Sequence, residues 1–255
     1  MWRHEYWLWG GADTRLRRRV SFFLPLMGSR ELPVVAKPLY VVAEAMQPRS
    51  VSELARLAGV ERNAASAACG ELVRAGWMRL VKSGKTVMPI AVVPPALQTE
   101  QIANLRKALA MAQHKGEFLM KRWLDLTIDS DDYVDNARPD FLSNPASGEA
   151  LEFDRYYMEG VAFEFNGPQH YGPTTAYPDE RVFKETRMRD LLKAGLSHEQ
   201  GVVLVTMTAQ DLSLEGVLKK VPGRLRRAYV DRESPYVKAL ERVSADYRRK
   251  ANAGG

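Results

Sequence analysis

Two acids, Asp154 and Glu164, stand in segments whose spacing turns them toward each other. Residues 151–157 (LEFDRYY) and 161–166 (VAFEFN) alternate as strands do, and Met158, Glu159 and Gly160 between them have the form of a three-residue hairpin loop with glycine at the left-handed position. That loop pairs Tyr157 with Val161 and, counted back, Asp154 with Glu164. Phe153 then meets Phe165, and Arg155 meets Phe163, on the opposite, apolar face. Directly opposed side chains lie about 5 Å apart, where like charges destabilise a sheet. A divalent cation between the carboxylates converts that penalty into a binding site. Asp154 and Glu164 are therefore the candidate metal ligands, for Mg²⁺ or Mn²⁺.

The elements that must hold these acids are legible nearby. Residues 138–206 read as α/β, and 209–250 as closing helices. A helix is expected from Asp179, an acidic cap, to Ala194, with Gly195 as its stop. Upstream, Ile102, Leu105, Leu109, Ala112, Leu119, Trp123 and Leu126 recur near heptad spacing, which predicts helix over 98–127, with Gly116 placed to split it in two. Asp140 in RPDF is a further acid at a predicted strand, read as bonding a turn. Arg187, Arg189 and Lys193 are positioned to face phosphates. The run Arg224, Arg226 and Arg227 adds positive charge, and Arg248, Arg249 and Lys250 read as a solvated helix face.

Residues 34–93 form a unit of their own, closed by the stiff pair Pro94-Pro95. An apolar-rich helix over 34–46 precedes a short one, ELARLA, capped by Ser50 or Ser52 and stopped by Gly59. A second helix over 61–75 ends at Gly76. Two strands, 77–82 and 86–93, then flank Ser83, Gly84 and Lys85. Helix, tight turn, helix and hairpin, with the text VSELARLAGVERNAASAACGELVRAGWMRLV, resemble a winged-helix DNA-binding domain. The resemblance implies that Arg62, Asn63 and Ser66 face DNA bases, while Arg49, Lys82 and Lys85 contact phosphates. Cys69 reads as a small core residue of the second helix.

Composition bounds the partners. The 255-residue chain carries a net charge of +6, which suits a polyanion, and 45% hydrophobic residues, enough for sizeable cores. One cysteine excludes an intrachain disulfide framework and any multi-cysteine zinc site, and a reducing, cytoplasmic setting is the simplest expectation. No membrane span is expected. The apolar run after Arg17, Arg18 and Arg19 is short and broken by Pro25, so it is not read as a signal peptide. Trp2, Tyr6, Trp7 and Trp9 crowd the first thirty residues as either a packing patch or a surface for stacking bases. The expected organisation is an aromatic and basic segment over 1–30, a winged helix over 31–95, and a second domain over 96–255.

In that second domain the texts RPDF, LEFDRYY, VAFEFNGPQHY, ETRMRDLLKAG and GVVLVTM resemble the restriction-endonuclease-like nucleases, an α/β (α+β) fold. That fold's common motif is an Asp followed by Glu-x-Lys on the next strand. Asp154 and Glu164 match the acids, whereas Asn166 stands in place of the lysine. The very-short-patch repair endonucleases and related homing endonucleases are more similar. Their Glu, Asp, His, Asp set carries over as Glu117, Asp154, His170 and Asp190. The resemblance implies a metal-dependent endonuclease acting on double-stranded DNA in a prokaryotic or phage-type, nucleoid-associated setting. Asp154 and Glu164 would hold the metal, His170 would serve as general base or proton carrier, and Glu117 and Asp190 would orient the imidazole or position a hydrated metal. The rival expectation is a DNA-binding transcriptional regulator whose nuclease-like domain is inactive.

Overall fold

The computed structural model describes residues 26–167 and 180–253. They divide into two compact units, one ending at Asn104 and one beginning at Leu105. The tryptophans of the first thirty residues, together with His170, lie outside the described residues.

The first unit holds α1 (Ala36–Met46), α2 (Val51–Ala58), α3 (Arg62–Arg74), and the strands β1 (Met78–Ser83) and β2 (Thr86–Ala91). Of the two serines, Ser50 is the cap. Its hydroxyl accepts from the Glu53 amide at 3.1 Å, and the Glu53 carboxylate accepts from the Arg49 amide at 2.8 Å. Gly59, at φ 65°, ends α2 in the left-handed region where glycine costs least. The Glu61 carboxylate caps α3 by accepting from the Asn63 and Ala64 amides. Apolar faces of all three helices meet over Leu39, Leu54, Ala65, Leu72 and Trp77, with Tyr40 edge-on to Trp77 at 5.3 Å. Cys69 lies buried in this core, as its type suggests, and burial pushes its thiol pKa up. The antiparallel hairpin β1–β2 turns at Gly84, where φ is 59°.

α4 (Pro95–Met111) leads into the second unit. α5 (Lys115–Thr127) follows, so the expected break falls at 112–114 and Gly116 sits inside the first turn of the new helix. β3 (Tyr133–Ala137), β4 (Phe153–Tyr157), β5 (Val161–Asn166) and β6 (Val203–Thr208) form one sheet in the order β3-β4-β5-β6. The first three strands are antiparallel neighbours, and β5 and β6 run parallel. A parallel pair needs a crossover, which α6 (Glu180–Glu199) supplies. A short 3₁₀ turn (Ala209–Asp211), α7 (Leu214–Lys220) and α8 (Pro235–Ala253) close the unit.

Alternation along the strands sends residues to two different cores. Tyr157, Val161, Phe163 and Met207 pack with Leu119, Trp123, Leu124, Val217 and Leu240 of the helices. Tyr156, Ala162 and Leu204 pack instead with Leu192 and Leu196 of α6. Near the turn the hairpin register is as the spacing predicts: Tyr157 faces Val161, Tyr156 faces Ala162, Arg155 faces Phe163, and Gly160 has φ 75°. Beyond Arg155 it is not: regular pairing ends there, and Phe153 joins the Tyr156 and Ala162 core whereas Phe165 packs against the core of Phe163, so the expected meeting of Phe153 and Phe165 on one face does not form.

Two expectations need correction. The helix of the crossover does not stop at Gly195 but continues to Glu199, because Leu196 and Ser197 beyond it are drawn into the sheet's cover; burial outweighs the roughly 1 kcal/mol cost of a helical glycine. The first strand lies upstream of RPDF, at Tyr133–Ala137, and Asp140 follows it in a turn. The chain is thus mixed α and β, with a two-stranded and a four-stranded sheet, in keeping with the α+β expectation. Among the described residues no helix is long and apolar enough to cross a membrane.

Candidate active site

The carboxylates of Asp154 and Glu164 occupy the central strands of the four-stranded sheet. By register, Asn136 of β3 and Glu164 of β5 fall level with Asp154, yet regular pairing is interrupted on both sides of it. Asn136 adopts the left-handed conformation (φ 55°), and an Asp154 carboxylate oxygen accepts the Phe165 amide at 2.7 Å. A side chain therefore takes a backbone bond that the sheet would otherwise use. This fixes Asp154 against β5.

Both acids are held above the ordinary carboxylate range. For Glu164 the main cause is burial, the second is the Asp154 carboxylate, and Asp190 adds to it; Lys193 pulls the other way. For Asp154 burial again dominates and Glu117 raises it further, against the Phe165 amide, Lys121 and Lys193. Each acid is thus a buried like-charge neighbour of another, the circumstance that pushes carboxyl pKa values up.

Two lysines offset the repulsion. Lys193 of α6 donates to both oxygens of Glu164, each at 2.9 Å. Lys121 of α5 donates to Glu117 at 2.5 Å and to the Asn136 side-chain oxygen at 2.6 Å. The Asn136 amide in turn donates to Glu152 at 3.1 Å. Helices on either cover of the sheet therefore feed one cationic side chain each into the acid cluster.

Of the five residues expected in the catalytic set, the structure brings Glu117, Asp154, Glu164 and Asp190 into one electrostatic neighbourhood. Among the described residues no three His, Cys, Asp or Glu side chains form a ready metal cage.

Lys121 and Lys193 join the acids without any strong local pattern that marks them for it. Lys193 was expected to face phosphates and is instead engaged by Glu164. The signals were modest: Glu117 and Lys121 are a helical i,i+4 pair. Arg189, also expected at phosphates, pairs with Glu149 at 3.0 Å. Arg227 and Arg248 bond backbone carbonyls of Val221 and Leu212 and so clamp loops.

On the other side of β4, Arg155 is fully buried. It donates to both carboxylate oxygens of Asp135 at 2.6 and 3.1 Å and to Asp125 at 2.9 Å, and its guanidinium lies 4.0 Å from the Tyr133 ring centroid. Burial opposes its charge, but Asp125, Tyr157 and Asp135 together hold it firmly protonated.

In the first unit Arg49, Arg62, Asn63, Ser66, Lys82 and Lys85 are all exposed. Arg62, Asn63 and Ser66 share the opening turns of α3, and Lys82 and Lys85 stand on the hairpin.

No family model and no solved structure matches the chain. Among curated proteins it is similar to "Uncharacterized protein 033L" of Invertebrate iridescent virus 3, at 36% identity over 93 residues, which cover 36% of this chain and 47% of the viral protein. The matched stretch thus spans about half the length of that relative.

Proposed function

We propose that the chain is a metal-dependent endonuclease that hydrolyses phosphodiester bonds of double-stranded DNA. In this reading the unit from Leu105 is a restriction-endonuclease-like domain, and the helices and hairpin before it are a winged helix that recruits DNA in a cytoplasmic setting. One observation carries the reading: Asp154, half-buried, and Glu164, buried, stand on adjacent strands and each raises the other's carboxyl or is raised by a further acid. Stability alone gives no reason to keep such a pair, whereas a cation site does.

The residues present fit Mg²⁺ or Mn²⁺. Mg²⁺ is commonly held by one or two carboxylates and completes its shell with water and substrate phosphate. The Lys193 ammonium on Glu164 is a cation already standing in for positive charge at that place. When bound, a divalent metal polarises the phosphate and lowers the pKa of an attached water.

The chain's own groups set the geometry. The Phe165 amide fixes Asp154, and Lys121 fixes Glu117 close enough to be felt at Asp154. By resemblance, His170 would accept or carry the proton of the attacking water, with Asp190 and Glu117 orienting the imidazole or positioning a hydrated metal. Arg62, Asn63 and Ser66 present a face for the major groove, and Arg49, Lys82 and Lys85 a set of phosphate contacts.

The test is conversion of supercoiled plasmid to nicked or linear DNA with Mg²⁺ or Mn²⁺, and its arrest by EDTA. If Asp154→Asn and Glu164→Gln proteins cut as fast as the parent, the reading fails. A transcriptional regulator with an inactive nuclease-like domain is the second reading, favoured by Lys193 holding both Glu164 oxygens while Asn166 stands in the lysine position of the motif. DNA binding without cleavage under every metal would select it.

A further inference from the structure

Both oxygens of Glu164 are taken by one ammonium. Lys193 Nζ lies 2.9 Å from each, and the two side chains are 16% and 11% exposed. The oxygens that a divalent ion needs are therefore the ones Lys193 holds. We propose that Lys193 is a resident counter-ion which the metal displaces from Glu164, and that the released ammonium then pairs with the DNA phosphate beside it. The inference rests on the nuclease reading.

Three features support it. A doubly charged ion is attracted to the paired carboxylates about twice as strongly as an ammonium at equal distance, and one that keeps several of its waters gains this attraction without full dehydration. The lysine head is a point charge on a flexible four-carbon stem, and the side chain retains an exposed edge by which it can swing out. Lys121, by contrast, is tied to Glu117 on its own helix and to Asn136 on β3, so it keeps its partners when Glu164 changes its own.

The exchange also has a functional logic. With the metal absent, the clamp lowers the repulsion between Asp154 and Glu164. With the metal and DNA present, the freed ammonium adds a positive charge where the phosphate becomes more negative in the transition state.

The experiment is Mn²⁺ binding to the full chain, read by electron paramagnetic resonance, for the parent, Lys193→Met and Asp154→Asn. Removing the internal competitor should tighten Mn²⁺ binding by about tenfold while plasmid cleavage slows by a similar factor. A second measurement needs no variant: acetylation of the unmodified protein by an N-hydroxysuccinimide ester, followed by mass spectrometry. Adding Mg²⁺ should raise the labelling rate of Lys193 several-fold and leave Lys121 unchanged. Unchanged or weaker Mn²⁺ binding by folded Lys193→Met, or Lys193 labelling indifferent to Mg²⁺, overturns the proposal and leaves the metal reading standing. If neither the parent nor Lys193→Met binds Mn²⁺, or if Asp154→Asn binds it as the parent does, the metal reading itself falls and this inference with it.

Discussion

Asp154, half-buried, and Arg155, fully buried, are consecutive residues of one strand, and they illustrate two opposite treatments of charge in a sheet. Arg155 meets two carboxylates, a tyrosine ring and a backbone carbonyl, so its donors are matched and its charge is balanced. Asp154 meets further acids, and cations arrive only from the flanking helices. The first arrangement resembles a structural fixture, because every group relieves its neighbours. The second leaves like charges close together with two lysines offsetting them, an arrangement that fits a functional site better than a fixture. Adjacent positions on a strand can differ this much because successive side chains leave by opposite faces.

The contrast can be broken from the Arg155 side first. Arg155→Met should destabilise the second unit by about 3–5 kcal/mol, since Asp125 and Asp135 lose the charge that balances them. Chemical denaturation monitored by circular dichroism measures this. A loss under 1 kcal/mol would mean that Arg155 is not the fixture described.

From the other side, Asp154→Asn should lower metal-dependent cleavage by about 10²–10³-fold, the loss of several kcal/mol of transition-state stabilisation. The same substitution should raise the melting temperature of the metal-free protein, by roughly 3 °C, because it removes a buried like charge. A side chain that served only the fold would lower both.

The comparison sharpens further with pH. Glu164 has its pKa raised by burial and by Asp154, from 4.5 in the ordinary state to about 8. The folded protein therefore holds a proton that the unfolded chain releases, and its stability falls as pH rises through that window. Asp154, Asp190 and Lys193 around Glu164, with Glu117 and Lys121 beyond, all bear on the slope. Melting curves between pH 5 and about 8.5 should decline without metal. Added Mg²⁺ should flatten them, since it favours the ionised pair.

The smallest effects belong to the exposed hairpin. Lys82→Ala and Lys85→Ala should each weaken DNA binding modestly and lower the salt slope by about one unit, with folding unaffected. Fluorescence anisotropy at several salt concentrations reads both. A slope that does not move would remove these lysines from the DNA contact.

What the sequence disclosed follows from the range of the interactions. The hairpin was legible because Met158, Glu159 and Gly160 lie between two alternating runs, and its register is a matter of counting. The capping of α2 by a serine and its stop at Gly59 are legible for the same local reason, whereas the cap of α3, the Glu61 carboxylate, is of a type the sequence pattern does not single out. Arg155 was not: its partners lie 20 and 30 residues away, and an arginine among phenylalanines and tyrosines gives no sign of them. Lys193 meets Glu164 across 29 residues, and only the crossover of α6 brings them together. The first strand was misplaced because Asn136, at φ 55°, breaks the alternation that would have revealed Tyr133–Ala137.

Gly116 gives the acid cluster its width. A methyl group at this position would collide with the Phe165 ring and the Tyr247 hydroxyl, while Phe165 and Tyr247 themselves stack edge to face at 6.1 Å. The start of α5, the residue next to Glu164 and the closing helix α8 therefore meet at a single joint with no slack. Any larger residue there must displace the Phe165 ring, the Tyr247 hydroxyl or the first turn of the helix that carries Glu117, so a side chain missing from the helix start lets the sheet and the closing helix come this close.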